Sequence, residues 1–299
     1  MFKIILMIRS ARVNIFLGRL LKASALRDQA ILVYKEALRQ LPFSVEIMEE
    51  LLDLGVSSHE LLSLVDEQFR KKSGLQSTGD VSFLGDRLPL LVSSLAHKRA
   101  ADSEVAIEKL TVLSSHYPKC VYLCTSMAAA LAQAERTSDA LQAFRKARQI
   151  DPYSLHMMDV YGYLLYSAPD GDAELSQLTS DLMAIDNMRS SKGRRGPRCE
   201  AWSVAALFCE RKGESDKAIQ LIETAISVNS SGASFVFRLK GLLLLNHNHF
   251  EQAVICFRQA NAVQRDVENY AGLVKAYIEV SLFILPFSEG LTLCDSLAS

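Results

Sequence analysis

The sequence predicts an all-α protein, a right-handed superhelix (solenoid) of about seven stacked helix pairs with a partial eighth. Two observations predict this fold. Pro118 and Pro152 lie 34 residues apart, and the segments ending at Pro42 and Pro152 carry alanine, a large aromatic residue and alanine at the same three offsets. Only 7 prolines and 14 glycines are spread over 299 residues, too few for the many tight turns of a β-sandwich. Such a period is typical of tandem helix–turn–helix repeats.

The first repeat shows why these residue types recur. Gly18 in the first helix and Ala30 and Ala37 in the second are small, which allows the two helices to approach closely. Tyr34 is large and is expected to fill the gap between neighbouring repeats. Pro42 ends the second helix, because it lacks an N–H and restricts the residue before it.

The remaining repeats follow in order along the chain. The expected organisation is an atypical N-terminal segment over 1–10, repeats one to five over 11–189, a basic loop insertion over 190–198, repeats six and seven with a partial eighth over 199–280, and a divergent tail over 281–299. The second repeat lacks the signature alanines and the fifth loses its register, so both are degenerate. The residues expected to pack within and between repeats are Gly18, Ala30, Tyr34, Ala37, Pro42, Ala128, Ala140, Phe144, Ala147, Pro152, Gly162, Trp202, Ala218, Ala225, Gly241, Ala253, Phe257 and Ala260.

Composition and motifs argue against catalysis, cofactors and nucleic acid. The formal net charge of −1 provides no global basic field for nucleic acid or an anionic membrane. The sequence has no glycine-rich phosphate loop, GxSxG elbow or HExxH pair, and His247 and His249 lack a third metal ligand at recognisable spacing.

The six cysteines form no CxxC pair, and the apolar runs 1–8 and 280–287 are typical of neither a cleavable leader nor a membrane span. Lys192–Arg198 is the only basic cluster, either a nuclear-import signal or a solvated loop. We therefore expect a non-enzymatic protein in a reducing intracellular compartment, without cofactor or metal.

The first helices of the repeats carry candidate binding residues on one face. Positions 2, 5, 9 and 12 of these helices are expected to face the concave groove, because residues three and four apart share a helix face. Aromatic residues there are either anchors for a partner or ordinary packing against the neighbouring first helix. The basic trio of the first repeat would accept an acidic segment. The candidate groove residues are Arg12, Arg19, Lys22, His156, Asp159, Tyr163, Tyr166, Phe235, Arg238 and Leu242.

Several stretches match one family more specifically than the general repeat pattern does. They are Tyr34–Pro42 and Asp151–Leu165, supported by Arg12–Gly18 and Lys240–Arg258. Over about residues 11–278 the chain resembles subunit 7 of the anaphase-promoting complex (cyclosome), a tetratricopeptide-repeat family. The resemblance implies a non-catalytic scaffold, nuclear and cytoplasmic, in a multisubunit ubiquitin ligase that drives exit from mitosis. It implies sister repeat subunits as partners, coactivator segments as further candidates, and neither nucleic acid nor membrane.

Members of that family are longer at both ends, and their N-terminal part carries a homodimerisation region. The resemblance therefore implies a chain truncated at both ends, in which homodimerisation is doubtful. The sequence leaves open a generic repeat adaptor or cochaperone that binds a peptide in its concave groove, although the degenerate second repeat interrupts the cations that a carboxylate clamp needs. A repeat-bearing transferase or phosphatase is a third class, but no residues remain here for an enzyme domain.

Overall fold

A computed structural model describes residues 10–24, 26–73, 87–99, 102–191, 198–228 and 234–281. Within these ranges the backbone forms helices joined by short turns, and no β-strand. The chain divides into two compact units, Met1–Met157 and Met158–Ser299. Nearly all of the expected N-terminal segment, the basic loop from 192 to 197 and the tail from 282 onward lie outside the described residues.

Consecutive helices pair along the chain. The first unit contains α1 (Ala11–Ala23), α2 (Arg27–Gln40), α3 (Val45–Asp53), α4 (Ser58–Ser73), α5 (Arg87–Arg99), α6 (Ser103–His116), α7 (Val121–Gln133) and α8 (Thr137–Ile150). The second contains α9 (Met158–Ser167), α10 (Asp172–Ser191), α11 (Cys199–Arg211), α12 (Ser215–Val228), α13 (Ser234–Asn246), α14 (Phe250–Val263) and α15 over 267–281. Each pair, from α1 with α2 to α13 with α14, is in contact across a turn of three or four residues. The described residues thus form seven helix pairs and one further helix, and the predicted all-α repeat fold is confirmed.

Small and aromatic residues build the core of the first unit at the predicted positions. Ala30, Tyr34 and Ala37 of α2 are completely buried. A Cβ at Gly18 would lie 2.7 Å from the Tyr34 ring, so the close approach of α1 to this ring requires glycine. Phe144 of α8 is completely buried as well. Burial of a large side chain of this kind contributes about 1.5–3 kcal/mol, so the repeat period sets where most of the packing energy lies.

In the second unit one aromatic ring joins three helices. Phe257 of α14 is completely buried, and it lies between Gly241 of α13 and Gly272 of α15. A Cβ at Gly241 would lie 2.9 Å from the ring Cε2, and one at Gly272 would lie 2.7 Å from Cζ. The two glycines therefore form a slot for the ring, which couples the seventh repeat to the helix that follows it.

Two packing positions and one boundary differ from the sequence expectation. Pro152 is exposed because its role is to end α8 in a surface turn, and Trp202 is half-buried; the other packing residues are buried. Helix α10 is 20 residues long and continues through Ser191, so the first two residues of the expected basic loop are helical. None of the described helices combines the length and the apolar composition that crossing a membrane requires.

Candidate functional site

Two cations of the basic trio of the first repeat, Arg19 and Lys22, already have acidic partners in the chain, and the third, Arg12, is exposed. Arg19 forms an ion pair with Glu46, and Lys22 Nζ lies 2.7 Å from Glu50 Oε2 and 3.4 Å from Asp53 Oδ2. These carboxylates belong to α3, the first helix of the degenerate second repeat. Pairs at this degree of exposure are worth about 0–1 kcal/mol each, so their main effect is to neutralise the two cations. An acidic partner segment would have to compete with them.

The pairing with these carboxylates was not predicted from the sequence, although the sequence contains a signal for it. Glu46, Glu49, Glu50 and Asp53 recur at helical spacing on α3, directly after the repeat that carries the cations. Stacked first helices lie side by side, so opposite charges on consecutive repeats were a signal for pairing across the groove.

His156 does not lie on α9, the helix that carries Asp159, Tyr163 and Tyr166, which the sequence predicted on the same face. It precedes α9 and belongs to the first unit, whereas Asp159, its predicted neighbour, lies on α9 in the second unit. Its Nδ1 is 2.8 Å from Thr125 Oγ1, and its ring lies 5.0 Å from the ring of Tyr122. The Tyr122 hydroxyl in turn donates to Glu49 Oε1 at 2.7 Å. His156 therefore takes part in a polar chain on the first helices of the first unit.

Aromatic side chains from α9 and α13 meet in the second unit. The rings of Tyr163 and Phe235 are 6.2 Å apart in an edge-to-face arrangement of 83°, which is favourable for aromatic pairs. Asn246 Nδ2 donates to the Tyr166 hydroxyl at 3.4 Å. These three aromatic residues and Leu242 are half-buried. The rings thus pack between first helices and also keep an accessible edge, while their use as anchors for a partner stays a prediction.

Arg211 donates hydrogen bonds at the end of α9, a role that the sequence did not indicate. Its guanidinium donates to the backbone carbonyls of Tyr166, Ala168 and Pro169, the last two at 3.2 and 3.1 Å. Its Nε lies 2.6 Å from Asp172 at the start of α10. The last carbonyls of a helix have no partner within the helix, and Arg211 satisfies them at the turn between α9 and α10.

Asp159 of α9 and Glu200 of α11 interact electrostatically. Burial and, after it, the carboxylate of Glu200 raise the pKa of Asp159 to about 7, although the N–H of Val160 at 2.9 Å and the charge of Arg238 act to lower it. Arg238 forms ion pairs with Glu268 and, at 3.3 Å, with Asp266. The surface therefore combines a carboxyl group that takes up a proton near neutral pH with half-buried aromatic rings.

Within the described residues, no three His, Cys, Asp or Glu side chains lie close enough to hold a metal ion together. His247, which the sequence paired with His249 as a weak candidate, has its Nε2 2.9 Å from the Glu210 carboxylate. The described cysteines are free thiols, and burial together with Glu200 raises the pKa of Cys199.

Stacked helix pairs with small and aromatic packing positions define a tetratricopeptide-repeat protein. The human IFIT1 dimer with PPP-AAAA shares the fold at a TM-score of 0.53 and 15 % identity, over 91 % of this chain and 64 % of that chain. No family model matches the chain.

The curated relatives identify the particular protein that the chain resembles, anaphase-promoting complex subunit 7. The protein of that name from Arabidopsis thaliana is 31 % identical over 274 residues, 90 % of this chain and 46 % of the relative. The Homo sapiens protein is 27 % identical over 90 % of this chain and 45 % of the relative, and that of Dictyostelium discoideum is 23 % identical over 84 % and 41 %. The predicted resemblance is thus confirmed. The chain spans about half the length of these relatives.

Proposed function

We propose that the chain is a non-catalytic scaffold subunit of a multisubunit cell-cycle ubiquitin ligase, the anaphase-promoting complex. The observation that carries this proposal is the similarity to subunit 7 over 90 % of the chain. In this role the chain binds other repeat-containing subunits of the complex through the faces of its helices. A place in both nucleus and cytoplasm is part of the same proposal.

We assign the main contact of the second unit to the groove faces of α9 and α13. Tyr163 and Phe235 are half-buried there, and the Arg238 guanidinium lies 5.0 Å from the Phe235 ring centre. Leu242 adds a half-buried apolar side chain on α13. Partly accessible aromatic and arginine side chains are the residue types that dominate the energy of protein interfaces. Sister subunits or coactivator segments would contact this surface.

The groove of the first repeat is the weaker candidate for such a contact. Arg19 and Lys22 are neutralised by carboxylates of α3, so a partner gains less from them than from free cations. Displacing the built-in carboxylates would cost about as much as a new acidic partner contributes.

The test is affinity purification of the tagged chain from dividing cells, with the recovered subunits quantified by mass spectrometry. The wild-type chain is expected to recover the other repeat subunits of the complex. A Tyr163→Ala/Phe235→Ala variant is expected to recover them at least about tenfold less, since two interface anchors at about 1 kcal/mol or more each are lost. Val112→Ala, at an exposed valine on α6, is the matched control and should behave as wild type.

The outcomes test separately whether the chain is a scaffold subunit and whether the groove faces of α9 and α13 form its contact. Recovery of chaperones alone by the wild-type chain would overturn the scaffold proposal. Full recovery by the double variant would leave the scaffold in place and refute the groove as its contact. Circular dichroism of both variants checks that the helices are intact before either conclusion is drawn.

A further inference from the structure

An apolar stripe runs along α15. Its residues recur at helical spacing and are 42–65 % exposed: Val267, Tyr270, Val274, Tyr277 and Ile278. A contiguous apolar face of this kind is uncommon on a free protein surface and marks a place where another element packs.

The opposite face of α15 is already covered by the preceding repeat. Asn269 Nδ2 donates to Ser234 Oγ of α13 at 2.8 Å, and Ala276 is completely buried. Gly272 lies against the Phe257 ring of α14. Helix α15 therefore has packing partners on one of its two apolar faces.

Helix α13, the first helix of the seventh repeat, has both faces covered. Val236 and Leu239 pack with Ile222 of α12, which precedes it, and Gly241 packs on Phe257 of α14, which follows it. The second face of α13 is thus covered by α14, the segment that directly follows it in the chain. By the same arrangement, the segment after α15 is positioned to cover the exposed stripe.

We propose that residues 282–299 pack on this stripe within the same chain. The stripe extends over twelve residues of helix, about 17 Å from the first to the last, and eighteen residues reach about 27 Å even at the helical rise and further if extended. Residues 282–299 are therefore long enough to extend along the whole stripe, whatever backbone conformation they take.

Composition supports the same occupant. The apolar side chains of the segment are Leu282, Phe283, Ile284, Leu285, Phe287, Leu291, Leu293 and Leu297. Its charged residues are Glu289 and Asp295, and the edge of the stripe carries the cations Arg258, which contacts the Tyr277 hydroxyl, and Lys275. The apolar composition of the segment therefore matches the apolar face, while charge adds little because α15 itself carries Glu268 and Glu279 beside Lys275.

Cross-linking in the full chain tests the proposal directly. Val274→Cys places a thiol on the stripe, and the native Cys294 provides its counterpart in the segment. A short bismaleimide is expected to join the two within one chain, at least about tenfold more than it joins Cys294 to a control thiol from Ser227→Cys on the exposed surface of α12. Mass spectrometry identifies the peptides, and gel electrophoresis separates cross-links within a chain from those between chains. Cross-links between chains would assign the stripe to a second copy, and equal yields from both positions would show no contact; either result overturns the proposal.

Hydrogen exchange of α15 provides a second and independent measurement. In the variant Phe287→Ser/Leu291→Ser/Leu297→Ser, amides of α15 are expected to exchange at least about tenfold faster than in wild type, while those of α11 are unchanged. Identical exchange in α15 would mean that these side chains do not cover it, whichever partners the protein has.

Discussion

Replacing Gly272 with alanine adds one methyl group where α15 lies against Phe257. The ring is completely buried, and the new Cβ would lie 2.7 Å from Cζ and 2.8 Å from Cδ1. The ring cannot shift away, because α13 closes the other side: even a Cβ at Gly241 would lie 2.9 Å from Cε2. The added atom therefore has to push two helices apart.

Two effects of opposite sign set the size of the change. Alanine is favoured over glycine in a helix interior by about 0.8–1 kcal/mol. Overpacking a closed core site costs about 1–3 kcal/mol, and three ring atoms within 2.8 Å of the new Cβ place this site in the upper part of that range. The expected net loss in the free energy of unfolding is about 1–2 kcal/mol.

Urea unfolding of the full chain, followed by far-ultraviolet circular dichroism, measures this loss. Ala271→Gly is the matched control, because Ala271 is the exposed neighbour and reports helix propensity alone, at about 1 kcal/mol. In the double variant Gly272→Ala/Phe257→Leu the shorter side chain relieves the clash, so its loss should be smaller than the sum of the single losses by about 1 kcal/mol. Hydrogen exchange of α14 and α15 locates the effect, since repeat arrays do not always unfold in one step.

One result would refute the reasoning. If Gly272→Ala raises stability by as much as Ala271→Gly lowers it, then helix propensity alone acts at this position. The ring would not lie in the glycine slot, and the repeat register of the second unit would be wrong.

Three further changes test the polar contacts. Arg211→Met leaves the carbonyls at the end of α9 without donors and should cost about 1–3 kcal/mol in urea unfolding, with faster amide exchange at that end; unchanged exchange would contradict the assigned role. Asp159 has a folded-state pKa raised to about 7 by burial and by Glu200, above the ordinary value of about 3.9, so its contribution is most favourable below that value and is lost as the pH rises through 7. Asp159→Asn should therefore be more stable than wild type at pH 8 and lose that advantage by pH 4, and a difference that does not vary with pH would argue against a raised pKa. Lys22→Met should lower the free energy of unfolding by less than about 2 kcal/mol, because each of its two ion pairs is partly exposed to solvent and is worth about 0–1 kcal/mol; a larger loss would mean that the pairs hold α1 on α3.

The sequence alone determined the repeat register and most of the core. In stacked repeats each helix pair touches mainly its neighbours, so the residue types needed at each contact recur at a fixed spacing that can be counted along the chain. The contact of each glycine with the ring of its own repeat is seen only in the fold, but Gly18, Tyr34, Gly241 and Phe257 were predicted in this way as packing positions. The slot formed by Gly272 was not, because its ring belongs to the preceding repeat.

The tertiary structure decided how the charged and polar groups are used. Arg211 carries no signal in the sequence for the carbonyls that it meets, since these come from another helix, and only the spacing of the carboxylates on α3 indicated the pairing of Lys22. Asp159 has an unusual pKa only because folding buries it and brings Glu200 close. Apolar packing in this fold follows local periodicity, whereas a charge is governed by whichever groups the stacked helices bring near it, and that is a property of the folded chain.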